Sequence, residues 1–413
     1  MLETLRNALK VKEIRKRLLY TFMMLVVVRL GSQIPLPFVN GDTVKSITSQ
    51  FSEGAFSFFA AITGGSMENM SIFALSITPY ITASIIIQLL TIAIPKLEEM
   101  QKDGEEGRKK LAEITRYVTV ALALIESTAM TIGFANQGLF NTDTITISNM
   151  STFRHVGVIV MGVVAMTAGS AALMWIGEQI TESGVGNGIS IVLLINIISG
   201  MPSDFVTLYS TFVANKSIAR GVTVAVIIAA IVIAVVVLVV ILQDGERRIP
   251  VQYSQKVAGR KTIGGQATNI PLKVNTAGVM PIIFASSIMQ FPVIIVQLFT
   301  SNSYEWTKYL SQSYWCRVQM PKYSIGLLLY IILVVVFAYF YTSITFNPVQ
   351  IADNLKKAGG VVPGITPGRS TSEYLNKILN YIVFIGAVGL MIVALIPIMC
   401  TGFFNASVSF GGT

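Results

Sequence analysis

The chain has 413 residues, of which 53% are hydrophobic and 12% charged, with a net charge of +9 and a mean hydropathy of +0.67. Soluble domains carry about 25% charged residues, so this composition argues against a water-soluble globule and for a polytopic membrane protein. Cys316 and Cys400 are the only cysteines and His155 the only histidine. Those counts argue against a disulfide scaffold, a thiolate metal site and histidine acid–base chemistry, and no cofactor is expected.

About 20 apolar residues cross the hydrocarbon core of a bilayer. That length predicts nine spans, over residues 18–34, 72–94, 117–135, 156–176, 189–208, 222–242, 276–299, 325–346 and 381–400. The first is a full span without a small-residue cleavage site, so it does not read as a cleavable signal. Ahead of it, residues 1–17 include the basic run "RNALKVKEIRKR". The second-to-third loop, "PKLEEMQKDGEEGRKKLAEITR", and the loops 243–273 and 347–380 are also rich in charge. Alternate loops such as "NQGLFNTDTITISNMSTF" nearly lack Lys and Arg. Because Lys and Arg are retained on the cytoplasmic side, the N-terminus is expected there. An odd number of spans leaves the C-terminal "FNASVSFGGT" outside, so that either a tenth span is missing or the chain ends oddly.

The spans group into two halves, 18–208 and 209–413, each with a proline near the start of one helix, Pro79 and Pro281. Inverted halves with Pro-interrupted helices are typical of transport proteins whose pathway lies between them. Prolines are common in membrane helices for other reasons too. Charge inside the spans is sparse: Arg29, Glu126 and the marginal Asp204. Solute transporters place such groups at their sites, so their scarcity disfavours a secondary transporter of a small solute, the rival reading. An insertase with a hydrophilic groove needs an intramembrane cation, which only Arg29 provides. Arg29 lies close enough to Pro35 to snorkel to the outer interface. Glu126, midway along its span, faces a water-filled vestibule or pairs with a neighbouring helix.

Ile81 and Ile85 are four apart and share a helix face. Ile189 and Leu193 repeat that spacing, and Ile283 follows Pro281. Singly, each reads as ordinary core or lipid-facing aliphatic. On corresponding helices of two halves they form a ring that excludes ions by dewetting and yields to a larger passenger. Residues 56–70, "FSFFAAITGGSMENM", are too short to span, and Gly64 and Gly65 can break or hinge them. They read either as a movable stopper beneath the ring or as an interfacial amphipathic helix. "GRKTIGGQATNIPLKVN" and "NLKKAGGVVPGITPG" mix basic residues with Gly and Pro, which suits docking on an acidic or phosphate-rich partner, or simply marks the inner side.

"SIFALSITPYITASIIIQLL", "GRKKLAEITRY", "MWIGEQITESGVGNGISI", "NIPLKVNTAGVMPIIFASSI" and "FNPVQIADNLKKAGGVVPGITPG" together resemble the hallmark segments of the SecY family, in order and spacing. That family forms the channel of the bacterial Sec protein translocon, and the likeness runs along essentially the whole chain. It implies an all-α membrane bundle of two pseudo-symmetric inverted halves around a central pore, closed by a re-entrant plug helix. No catalytic residue is implied. The pore ring would comprise Ile81, Ile85, Ile189, Leu193 and Ile283, and the plug Phe58, Phe59, Ala60, Ile62, Gly64 and Gly65. A lateral gate would involve Gln88, Thr91, Ser287, Gln290 and Phe291, between the second and third spans and the seventh and eighth. Arg247, Arg248, Lys256, Arg260, Lys261, Lys356 and Lys357 would contact the SecA motor or the ribosome. Implied partners are SecE, SecG, SecA, the ribosome, signal peptides, nascent chains and lipid, without direct DNA binding. The implied location is the bacterial plasma membrane. One departure stands out: the family has Arg in "GIRPG" where this chain has Thr366, which leaves the motor contact to Arg369 or a neighbour.

Overall fold

A computed structural model describes residues 10–37, 39, 44, 62–136, 152–210, 218–253, 256–258, 261–263, 267–299, 304–317 and 320–404. Its helices are α1 (Lys12–Gly31), α2 (Thr78–Ala93), α3 (Pro95–Lys102), α4 (Gly104–Asn136), α5 (Thr152–Ser183), α6 (Gly188–Leu208), α7 (Ile218–Asp244), α8 (Met280–Phe299), α9 (Glu305–Leu310), α10 (Ile325–Thr345), α11 (Pro348–Lys357) and α12 (Arg369–Phe404). A helix occupies each expected apolar segment, but two start late. Residues 72–77 form turns, because Met70 and Ser76 adopt φ of 43° and 51°, which no helix accommodates. Helix α2 therefore begins at Thr78, with Pro79 in its first turn, where a missing N–H costs nothing. It ends at Ile94, held extended (φ −114°, ψ 110°) by the following Pro95. Helix α8 likewise begins at Met280 rather than at residue 276.

Five helical stretches among the described residues are long and apolar enough to cross a bilayer alone: Gly104–Ala135, Val156–Ser183, Ala225–Asp244, Pro321–Lys357 and Arg369–Cys400. Helix α2 joins α3 as a pair bent by 108°. Helices α6 and α8 hold shorter apolar runs, Gly188–Pro202 and Met280–Val293, and α1 carries Lys12, Arg15, Lys16, Arg17 and Arg29 among its 20 residues. Among the described residues, the bend between α2 and α3 and the charge at the start of α1 keep these segments from qualifying alone by length and composition.

The chain divides into two compact units, Met1–Phe205 with Val293–Ser303, and Val206–Pro292 with Tyr304–Thr413. In the first, α4 packs on α2 and α5, and α1 on α5. One core cluster there contains Leu36, Met67, Met70, Leu75, Met130, Phe134 and Met166. A second joins Val28, Phe73, Ile77, Leu173, Ile176, Ile180 and Val192.

In the second unit, α12 packs on α7, α10 and α11 around Ile282, Met289, Trp315, Tyr330, Val334 and Leu390. Trp315 is fully buried and donates its Nε1–H to the Tyr309 carbonyl at 2.8 Å. The apolar window of α7 has no buried share; an all-aliphatic surface of that kind suits lipid. The charged loops 243–273 and 347–380, expected as loops, contain strands. These are β1 (Glu246–Tyr253), β2 (Lys256–Ala258), β3 (Lys261–Ile263), β4 (Ala267–Lys273) and β5 (Gly360–Val361). A three-stranded sheet runs β4-β1-β5, and β2 pairs with β3. Strand β1 alternates, placing Ile249 and Val251 inward against Leu272, Leu355, Val362 and Leu375, the period-two pattern of a half-buried strand.

Candidate functional site

The segment returning towards α2 is clipped at its base. Leu36 N–H donates to the Met70 carbonyl at 2.9 Å and Ile72 N–H to the Ile34 carbonyl at 3.0 Å, around a bridge between Pro35 and Ser71. Of the expected plug residues, Phe58, Phe59 and Ala60 lie outside the described residues. Ile62 is buried and helical, and Gly64 and Gly65 lie in the turn that follows. Arg29 reaches this turn from α1: its Nη1 donates to the Gly64 carbonyl at 3.2 Å. That carbonyl is 35 residues away in sequence.

Gly64 is required twice over, by its φ of +62° and by the 2.7 Å that would separate a Cβ from the Asn196 carbonyl oxygen. Ser199 Oγ lies 3.4 Å from the Gly64 carbonyl but only 2.7 Å from the Asn196 carbonyl. One hydroxyl hydrogen serves the shorter contact best, which leaves Arg29 as the principal donor to Gly64. Asn196 reaches the other end of the segment, donating Nδ2–H to Ser76 Oγ at 3.1 Å. Ser170 Oγ donates to the Ser76 carbonyl at 3.2 Å. These bonds hold Ser76 in a left-handed conformation that a serine adopts only under constraint. Helix α5 comes so close here that a Cβ on Gly169 would overlap the Ile72 carbonyl.

Within the same unit, Ile81 is buried and Ile85 half-buried on α2. Ile189 and Leu193, on α6, pack against the cluster that contains Ile77, one turn before Ile81. Ile283 is buried in the second unit. Among the gate candidates, Thr91 Oγ1 donates to the Gln88 carbonyl at 2.6 Å, and Gln88 Nε2 approaches Ser84 Oγ at 3.4 Å. In the second unit Gln290 is buried with its Oε1 unpartnered, Ser287 is half-buried and Phe291 is exposed. Hydrogen bonding falls to Ser286 instead, which accepts from Gln312 Nε2 at 3.1 Å. Glu126 is half-buried on α4.

The sheet brings the two basic loops together, since Gln252 pairs with Val361 and Tyr253 with Gly360. Arg247 and Arg248 on β1, and Lys356 and Lys357 in the last turn of α11, are exposed. Arg248 is tied to Glu246. Lys256 and Lys261 sit on β2 and β3, whereas Arg260 lies outside the described residues. The Thr366 carbonyl accepts from Thr371 Oγ1 at 2.9 Å. Arg369 is 93% exposed beside Glu373. Motif reading passed over Ser76, Asn196 and Ser199, and also the ion pair of 2.7 Å between Arg116 on α4 and Glu178 on α5. Asn196, polar within "VLLINIISG", was the available signal.

A family model described as SecY matches residues 71–413. The protein translocase subunit SecY of Streptomyces coelicolor is 40% identical over 418 residues, covering 100% of this chain and 93% of that protein. A solved SecY structure, reported as showing that the plug domain stabilises the closed translocation channel and maintains a membrane seal, aligns with a TM-score of 0.61. It is 18% identical and covers 98% of this chain and 89% of that one. Sec61 in a canine ribosome–channel complex from the endoplasmic reticulum aligns at 0.58, with the same identity and coverage. At such identities the structural likeness is one of fold.

Proposed function

The chain belongs to the SecY family, and from that premise we propose how this member conducts protein. It is a multi-pass membrane protein, the subunit of a protein-conducting translocation channel, and not an enzyme. In our reading, residues 18–208 and 209–413 are its two inverted halves, with residues 1–17 cytoplasmic. Ile81, Ile85, Ile189, Leu193 and Ile283 close the pore as a dewetted ring, with residues 56–70 as the plug. The burial of Ile81 and Ile283, and the seating of Gly64 against α6, support this assignment.

The gate residues Gln88, Thr91, Ser287, Gln290 and Phe291 line a lateral exit into lipid. A signal sequence opens it only by binding the open state better than the closed one. The basic sheet edge and α11, with Arg247, Arg248, Lys356 and Lys357, dock the SecA motor or the ribosome, which supplies the driving force. SecE and SecG complete the complex in the bacterial plasma membrane, N-terminus inside.

The family match over residues 71–413 carries the reading. Its test is reconstitution of the chain with its partner subunits in liposomes, with a motor ATPase and a secretory preprotein. ATP-dependent protection of the preprotein from external protease is expected. Saturable uptake of a small solute without protection would overturn it.

A further inference from the structure

Helix α1 carries none of the proposed ring residues, yet it places a cation on the plug. Its outward face is apolar, with Phe22, Met23, Val27 and Leu30 exposed and Val28 buried on the opposite side. Arg29 lies between these faces and donates to the Gly64 carbonyl at 3.2 Å. That carbonyl belongs to a turn whose glycine cannot be replaced without collision with α6. The other nearby donor, Ser199 Oγ, is engaged more closely by Asn196. In an apolar setting a charge-assisted hydrogen bond is about twice as strong as a neutral one, so this single contact weighs on where residues 62–70 rest.

We propose that Arg29 is a positioning residue for channel gating: its guanidinium latches the plug through the Gly64 carbonyl, and opening requires that contact to break. The proposal rests on reading residues 56–70 as the plug. Helix α6 grips the same segment at its far end, through Asn196 and Ser76, so the segment is held at two points. The Arg29 point is the one that depends on charge.

The test uses the complete complex in liposomes, with Arg29→Met, Arg29→Gln, Arg29→Lys, Ser199→Ala and a deletion of residues 60–66. Two readouts are taken without substrate: ion leak, and the maleimide labelling rate of a cysteine introduced at buried Thr63. Arg29→Met and Arg29→Gln should raise both by roughly ten- to a hundredfold, the weight of one charge-assisted hydrogen bond. Arg29→Lys, which keeps the charge without the planar fork, should restore part of the seal. Ser199→Ala should stay within about twofold of the parent. Should the deletion leak while neither neutral Arg29 variant does, the latch is wrong and the plug reading stands. If the deletion itself leaves leak unchanged, the plug reading fails. An Arg29→Met protein that does not assemble shifts the decision to Arg29→Gln, whose unaltered labelling would equally overturn the latch.

Discussion

Gly64→Ala and Gly65→Ala form a matched pair that separates backbone strain from packing. Both glycines hold left-handed conformations, with φ of +62° and +81°, and an L side chain in that region costs roughly 1–2 kcal/mol. At Gly65 the added Cβ would meet nothing within 4 Å. At Gly64 it would lie 2.7 Å from the Asn196 carbonyl oxygen, 2.8 Å from Asn196 Cα and 2.9 Å from Ser199 Oγ. Two of those are backbone atoms of a packed helix and cannot yield, so the turn itself must shift. The Arg29 hydrogen bond goes with it, at about 1.5–3 kcal/mol for a charged donor.

Gly65→Ala should therefore weaken the closed state by about 1–2 kcal/mol. Gly64→Ala should weaken it by about 2.5–5 kcal/mol, roughly two to nearly four orders of magnitude in the closed-to-open ratio. Ion efflux from liposomes holding the assembled complex, measured without substrate, reads the difference. Equal leak from the two variants would refute the packing argument, because they share the backbone penalty and differ only in what the methyl meets.

Ile81→Asn or Ile283→Asn should hydrate the constriction and raise single-channel leak in planar bilayers; unchanged conductance would count against the ring. Reversing Arg247, Arg248, Lys356 and Lys357 to Glu should weaken motor or ribosome binding, with a salt dependence lower than the parent's, measurable by co-sedimentation across ionic strengths. Burial pushes the Cys316 thiol above its ordinary range. The thiolate is the nucleophile, so maleimide labelling at Cys316 should be slow at neutral pH and accelerate only at higher pH than for a free thiol. A rate matching a free thiol at every pH would contradict the burial seen at that turn.

Hydropathy made the apolar segments legible, and Pro79 and Pro281 marked helix starts that the structure places in first turns. The bounds of α2 were less legible. Apolar run length could not register the left-handed residues Met70 and Ser76 that delay α2, or the extended Ile94 before Pro95 that bends its end. The strands in the basic loops were missed for a related reason. The alternation of Ile249 and Val251 with Arg248, Pro250 and Gln252 is short, and charge dominated its reading.

Features that depend on neighbours along the chain were readable from residue order: membrane class, helical segments, the basic loops and the motifs that carry the family likeness. Transfer from water to lipid adds up over consecutive residues, so a local window suffices for it. The tertiary structure alone decided that Arg29 meets Gly64, that Asn196 meets Ser76, and that β1 joins β5. Each pairing joins groups far apart in sequence, and a polar group buried in an apolar surround takes whichever partner the packing of the helices brings within about 3 Å.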